Sequence, residues 1–148
     1  MSSNLKTLHA NLETLVASTT GYTRLTHILD LDKNKFTPSS ARFGVIPRGQ
    51  QEVAGNTRNA TIDYIFSIVI CKSYISQASS DENIITTVLD ISEKYDDIYK
   101  QAVSTKINAT NIVINVSNFS LSEPVVIEKE KLIVIEGNFV VRCQYSVY

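Results

Sequence analysis

The chain has little of the material from which reactive sites are built. Its 148 residues include two histidines, His9 and His27, and two cysteines, Cys71 and Cys143. Neither histidine is read as having a Cys, Asp or Glu at metal-ligand spacing, so both are expected to be surface residues. The cysteines sit in apolar, strand-like stretches where an unpaired thiol behaves as a small hydrophobe, and their separation does not suggest a metal cluster or a reactive pair. Gly49 and Gly55 lie too far from any Lys-Ser/Thr to form a phosphate loop, and no G-x-S-x-G elbow occurs. The acidic pairs Asp30/Asp32 and Asp96/Asp97 fall at a loop edge and on a wet helix face, where nothing would desolvate them. No enzyme activity, cofactor or metal is expected.

Charge of one sign is also missing. Fourteen Lys plus Arg against 15 Asp plus Glu leave a net charge of -1. That supplies no positive field, so sequence-specific nucleic acid is not an expected partner. The start of the chain is too polar for a secretory signal, and no apolar run approaches the roughly 18 residues that span a bilayer. The reading is a soluble product made in the cytoplasm, with no membrane partner. On that reading the Asn-X-Ser/Thr triplets at Asn59, Asn108, Asn115 and Asn118 are chance matches. With 43% hydrophobic residues, the chain can bury one core, and a single domain over 1–148 is expected.

What is present is patterned. The run from Asn59 to Ser73 alternates Ile62, Tyr64, Phe66, Ile68 and Ile70 against Asp63, Ile65, Ser67, Val69 and Cys71. Both sets are mostly apolar, which predicts an interior strand covered above and below. Leu5, Leu8, Leu12, Leu15 and Val16 predict an amphipathic helix from about Ser3 to Ser18. A second helix over Asp81–Val103 follows from Ile84, Ile85, Val88, Leu89, Ile91, Tyr95, Ile98, Tyr99 and Ala102, which are expected to form one wide apolar face. Tyr22–Leu31 reads as a short helix or turn, and Asp32–Ser40 as a loop. Strands are expected at Ala41–Pro47, Asn111–Ser117 and Lys131–Tyr148, with a short extended piece at Val125–Ile127 and a bulge or bend at Gly137. Arg48–Arg58, with one large aliphatic residue and two glycines, reads as a long solvent-facing connection. The fold class is therefore α+β: an antiparallel or mixed sheet of about four strands with two main amphipathic helices, in the order α-β-β-α-β-β.

The charges around the connection suggest a contact. Arg42, Arg48 and Arg58 bracket it, Gln50 and Glu52 lie inside it, and Glu123, Glu128, Glu130 and Glu136 make the last quarter acidic. Opposite signs on separate patches suit a head-to-tail contact between identical subunits, and Arg42, Arg48, Gln50, Glu52 and Arg58 are the candidate interface. Ordinary surface charge kept for solubility is the alternative.

In its element order the chain resembles the tail-terminator, or tail-completion, proteins of long-tailed bacteriophages. The resemblance runs from Leu5 to Tyr148. It rests on the N-terminal helix, the strand RFGVIPRGQQE, the strand TIDYIFSIVIC, the helix DENIITTVLDISEKYDDIYKQ and the final strand LIVIEGNFVVRCQYSVY. It implies a structural virion protein of the tail or neck that forms a hexameric ring with itself. It also implies docking on the tail tube protein, an end to tube polymerisation, and a surface for the head-tail connector or a head-completion protein. The connection Pro47–Arg58 would then lie at a ring contact or toward the channel. Another neck or head-completion protein, or a small non-catalytic binding module using the apolar sheet face as a pocket, is the alternative.

Overall fold

The computed structural model describes residues 4–26, 41–55, 59–74, 80–109, 112–127 and 131–146. Helix α1 (Asn4–Thr20) is followed by strands β1 (Thr23–Arg24), β2 (Ala41–Gly55) and β3 (Asn59–Ser73). Helix α2 (Ser80–Thr105), a short turn at Lys106–Asn108, and strands β4 (Val113–Leu121), β5 (Val125–Ile127) and β6 (Leu132–Ser146) complete the order. Among the described residues, six strands form one mixed sheet, β1-β2-β3-β6-β4, with β5 paired to β6. Of these pairings only β1–β2 is parallel. The α+β class and the two helices agree with the sequence reading. The sheet has six strands rather than about four, because two short edge pieces join it.

β3 lies in the middle, as its two apolar faces require. Its Tyr64, Phe66, Ile68 and Ile70 are buried toward the helices, in one core with Leu8, Leu12 and Val16 of α1, Ile91, Tyr95 and Ile98 of α2, and Ile133, Phe139 and Val141 of β6. Phe66 and Phe139, opposite each other in the ladder, stack at 5.9 Å. On the other face Val69 and Cys71 are buried with Leu25, against Ile46 and Val134. α1 stops at Gly21, whose φ of 72° sets the left-handed cap that returns its N–H to the Ala17 carbonyl at 2.9 Å.

The connection expected at Arg48–Arg58 is mostly strand. β2 continues to Gly55 and pairs with β3 as far as Ala60. Two bulges, between Pro47 and Gly49 and between Glu52 and Ala54, absorb the residues that spoil its alternation. β4 likewise runs past Ser117 to Leu121, again through register shifts. Residues 23–24, within the expected short helix or turn, form β1, and residues 27–40 lie outside the described residues.

Gly137 is where α2 meets the sheet. A Cβ there would stand 2.6 Å from Cε1 of Tyr95, so glycine is the residue that lets the ring lie on the strand. The Tyr95 hydroxyl then reaches into the β3–β6 ladder, 2.6 Å from the Ile68 carbonyl and 2.7 Å from that of Ile135. Its one proton serves both. Burial pushes this phenol well above its ordinary pKa, so it stays a neutral donor.

After α2 the chain reverses through three successive left-handed residues, Lys106, Ile107 and Asn108, with φ of 50°, 57° and 54°. For L-residues this costs about 1–2 kcal/mol each. The fully buried Ile107 side chain and the Asn11 side-chain amide, which donates to the Ile107 carbonyl at 3.0 Å, hold the turn in place.

Three outcomes follow for urea denaturation. Tyr95→Phe should destabilise by about 1–3 kcal/mol through unsatisfied ladder groups. Gly137→Ala should cost a similar ~1–3 kcal/mol by overpacking, and most of that penalty should vanish in a Tyr95→Leu background. An unchanged penalty would mean that the ring is not what Gly137 accommodates. Lys106→Gly, at an exposed left-handed position, should raise stability by up to about 1 kcal/mol.

Candidate functional site

Backbone direction along β2 decides what its outer side can do. The Phe43 carbonyl accepts the Leu25 N–H at 2.7 Å, and the Val45 carbonyl accepts Nε2–H of His9 at 2.8 Å. Alternate residues Phe43, Val45 and Pro47 therefore turn their peptide groups away from β3. Proline is tolerated at Pro47 because no ladder bond to β3 is needed there. Beyond the bulge, where Gly49 takes φ 141°, Gln50 and Glu52 stand opposite Tyr64 and Ile62 and resume the outward direction. β1 pairs with β2 only at Arg42 and Phe43. From Ile46 to Gly55, no strand among the described residues pairs with this side, and Gln50, Gln51, Glu52 and Gly55 are exposed.

The opposite end of the sheet is β4. It pairs with β6 on one side and with no other strand among the described residues. Ile114 and Leu121 are 48% and 42% exposed, and Asn115 and Ser120 are exposed beside them. The sheet thus ends in two different edges: one carries glutamines and a glutamate, the other asparagine, serine and aliphatic residues.

The candidate interface residues separate in space. Gln50 and Glu52 lie on the open edge. Arg42, half-buried, is opposite Cys71 on the face away from the helices. Arg48 leaves the first bulge toward that same face, where Nη2 meets Glu136 Oε1 at 2.7 Å and Nε donates to Ser67 Oγ at 3.0 Å. Ser67 in turn hydrogen-bonds the Asn138 side chain. Arg48 and Glu136, read from sequence as opposite patches for two subunits, are therefore partners within one subunit. Arg58, Glu128 and Glu130 lie outside the described residues.

The sequence reading missed a second pair on this face. Arg142 holds Asp63 through two bonds, 2.8 and 3.1 Å, a bidentate fork between directly opposed residues of β3 and β6. The signal was available only once the register of those strands was known. His9 also differs from expectation. It is half-buried, joins α1 to β2, and has the Glu13 carboxylate one helical turn away at 3.4 Å. His27 is outside the described residues.

Cys71 and Cys143 are free and buried, and burial pushes each thiol up to about 12, which keeps it protonated and inert as a nucleophile. Among the described residues, no three His, Cys, Asp or Glu side chains come together as a metal site. No helix among them is long and apolar enough to cross a membrane. Two hollows, of about 430 Å³ beside Ser18, Asp97 and Lys100 and about 320 Å³ beside Leu5, His9 and Pro47, open at the helices.

Partial burial pushes the Glu136 carboxyl upward, but hydrogen bonds from Ser67 and Arg48 and the Arg48 charge outweigh it and hold the group below its ordinary range. A depressed carboxyl contributes stability above its unfolded pKa of about 4.3 and loses it as pH falls through the lower folded value. Stability measured by denaturation from neutral to strongly acidic pH should therefore fall less steeply in Glu136→Gln than in the parent. Equal slopes would show that the pair adds nothing.

No protein-family model matches the chain, and no curated protein matches it. Among solved structures it is similar to a chain of the virion of a native gene transfer agent (GTA) particle, with a TM-score of 0.40 and 10% sequence identity, over 93% of this chain and 92% of that one. At that score and identity the likeness assigns no function.

Proposed function

We propose that this protein is a structural component of a phage-like virion that works by ring assembly in the tail or neck, in the manner of tail terminators. The observation that carries the reading is the pair of unlike sheet edges that no other strand among the described residues covers. Edge-to-edge addition of identical subunits would join the β2 edge of one to the β4 edge of the next. That is a heterologous contact, which closes into a ring when the rotation per subunit allows it. Peptide groups would supply the affinity, as in other strand additions. Gln50 and Glu52 would face Asn115 and Ser120 across the seam.

The element-order resemblance to tail terminators supplies the finer part of the reading: a hexamer seated on the tail tube, facing a connector or head-completion protein. Such a protein needs no reacting groups, only edges and surfaces held at fixed angles by a stiff sheet.

The edge can be tested without disturbing the subunit. Gln50→Pro removes an N–H that points away from β3, so the β2–β3 ladder and the thermal melt should change little. Negative-stain imaging and light scattering, alone and with tail tubes, should show rings or capped tubes for the parent and neither for the variant. Normal assembly by folded Gln50→Pro, or a parent that never leaves the monomer even on tubes, would overturn the reading.

A further inference from the structure

The ladder registers run level across the sheet. Gln51 of β2 is opposite Asp63 of β3, Asp63 is opposite Arg142 of β6, and Arg142 is opposite Asn115 of β4. These four residues form one row from edge to edge, on the face away from the helices. The middle of the row is the Asp63–Arg142 fork, and each end is an exposed side-chain amide. β2 and β4 run in opposite directions, since three antiparallel pairings separate them.

We infer that the two ends of the row meet, Gln51 of one copy standing opposite Asn115 of the next. The inference rests on the ring reading and gives its seam a register. Strand direction allows the contact, because a copy turned about an axis running along the strands offers its β4 antiparallel to β2. Peptide direction fits as well. Gln144 of β6 donates its N–H to the Ile112 carbonyl at 2.8 Å, so Arg142, two residues before it, also turns its peptide groups toward β4, where Asn115 pairs with it. Val116, the next residue along, therefore turns its peptide groups outward. On β2, Gln50 and Glu52 turn outward, while Gln51 between them turns toward β3. With Gln51 opposite Asn115, outward Gln50 meets outward Val116, and the alternation of bonded and non-bonded pairs continues through the seam. A shift of one residue breaks that alternation. Of the registers that keep it, this one sets amide against amide. Gln51 and Asn115 then form a non-hydrogen-bonded pair, the kind whose side chains stand closest, and each amide can donate an N–H to the other's carbonyl. The polar row repeats from copy to copy without a step.

The test is cross-linking with a short bis-maleimide after assembly, alone and on tail tubes. The native thiols are buried and give little background. Gln51→Cys/Asn115→Cys, changed only at exposed positions, should give a ladder of covalent oligomers on a denaturing gel. The two single variants, mixed before assembly, should give dimers joining position 51 to position 115, and neither alone should give any dimer. Arg24→Cys/Asn115→Cys is the register control. Arg24 is level with Ile70, seven residues along β3 from Asp63, or roughly 23 Å, so its ladder should be at least tenfold weaker. Rings that yield neither ladder nor mixed dimer from positions 51 and 115, or an equal ladder from the Arg24 control, would overturn the register and leave the ring reading standing. Same-position dimers, or a parent that forms no rings even on tubes, would overturn both.

Discussion

β3 and β6 pair over fifteen consecutive positions, from Asn59 opposite Ser146 to Ser73 opposite Leu132, without a bulge. Every other element takes its place from that pair. β2 and β4 attach on either side with register shifts, and the core residues of both helices pack on the even residues of β3 and the odd residues of β6. Tyr95 fastens the arrangement by placing its hydroxyl among the carbonyls of these two strands, over the glycine that gives its ring room. A regular central pair can be long and still keep one face almost wholly apolar, with Lys72 at its end meeting Asp90 of α2 at 3.1 Å. The irregularity is displaced to the neighbours, where bulges cost less burial.

This division shapes the surface. Two helices cover one face, while the other is held by Arg48, Ser67, Asn138 and Glu136 and by the Asp63–Arg142 fork, with an apolar cluster around Val69 and Cys71 at one end. These polar pairs satisfy one another across strands. The edges are different: among the described residues, no strand pairs with the outer side of β2 from Ile46 to Gly55 or with the outer side of β4. α2 is different again, with Ile85, Leu89 and Val103 exposed on its outer side.

Much of the fold was legible because burial imposes a period. The central strand and both helices appear in the sequence as unbroken two-residue or three-to-four-residue patterns, each marking residues that face a packed surface. The far half of β2 left no such trace. Between Gln50 and Gly55 no apolar period survives, and the bulge at Pro47–Gly49 resets the alternation just where the helix cover ends. Polar, glycine-containing residues then look like a loop, although a neighbouring strand supplies their hydrogen bonds. For the candidate interface, Gln50 and Glu52 did reach an open edge, but Arg48 was already engaged. Its partner lies 88 residues away, and only the β2–β3–β6 order brings Glu136 beside it.

Composition and periodicity alone determined an α+β chain with a doubly apolar central strand, two amphipathic helices and buried thiols. Tertiary structure decided which charges are spent inside the subunit, which strands stand at the ends of the described sheet, and that Gly137 serves Tyr95 rather than a bend. The reason is physical. A side chain's preference for water or core is local and repeats along the chain, whereas an ion pair, a ring seated on a glycine or a vacant edge exists only after distant segments are set in register.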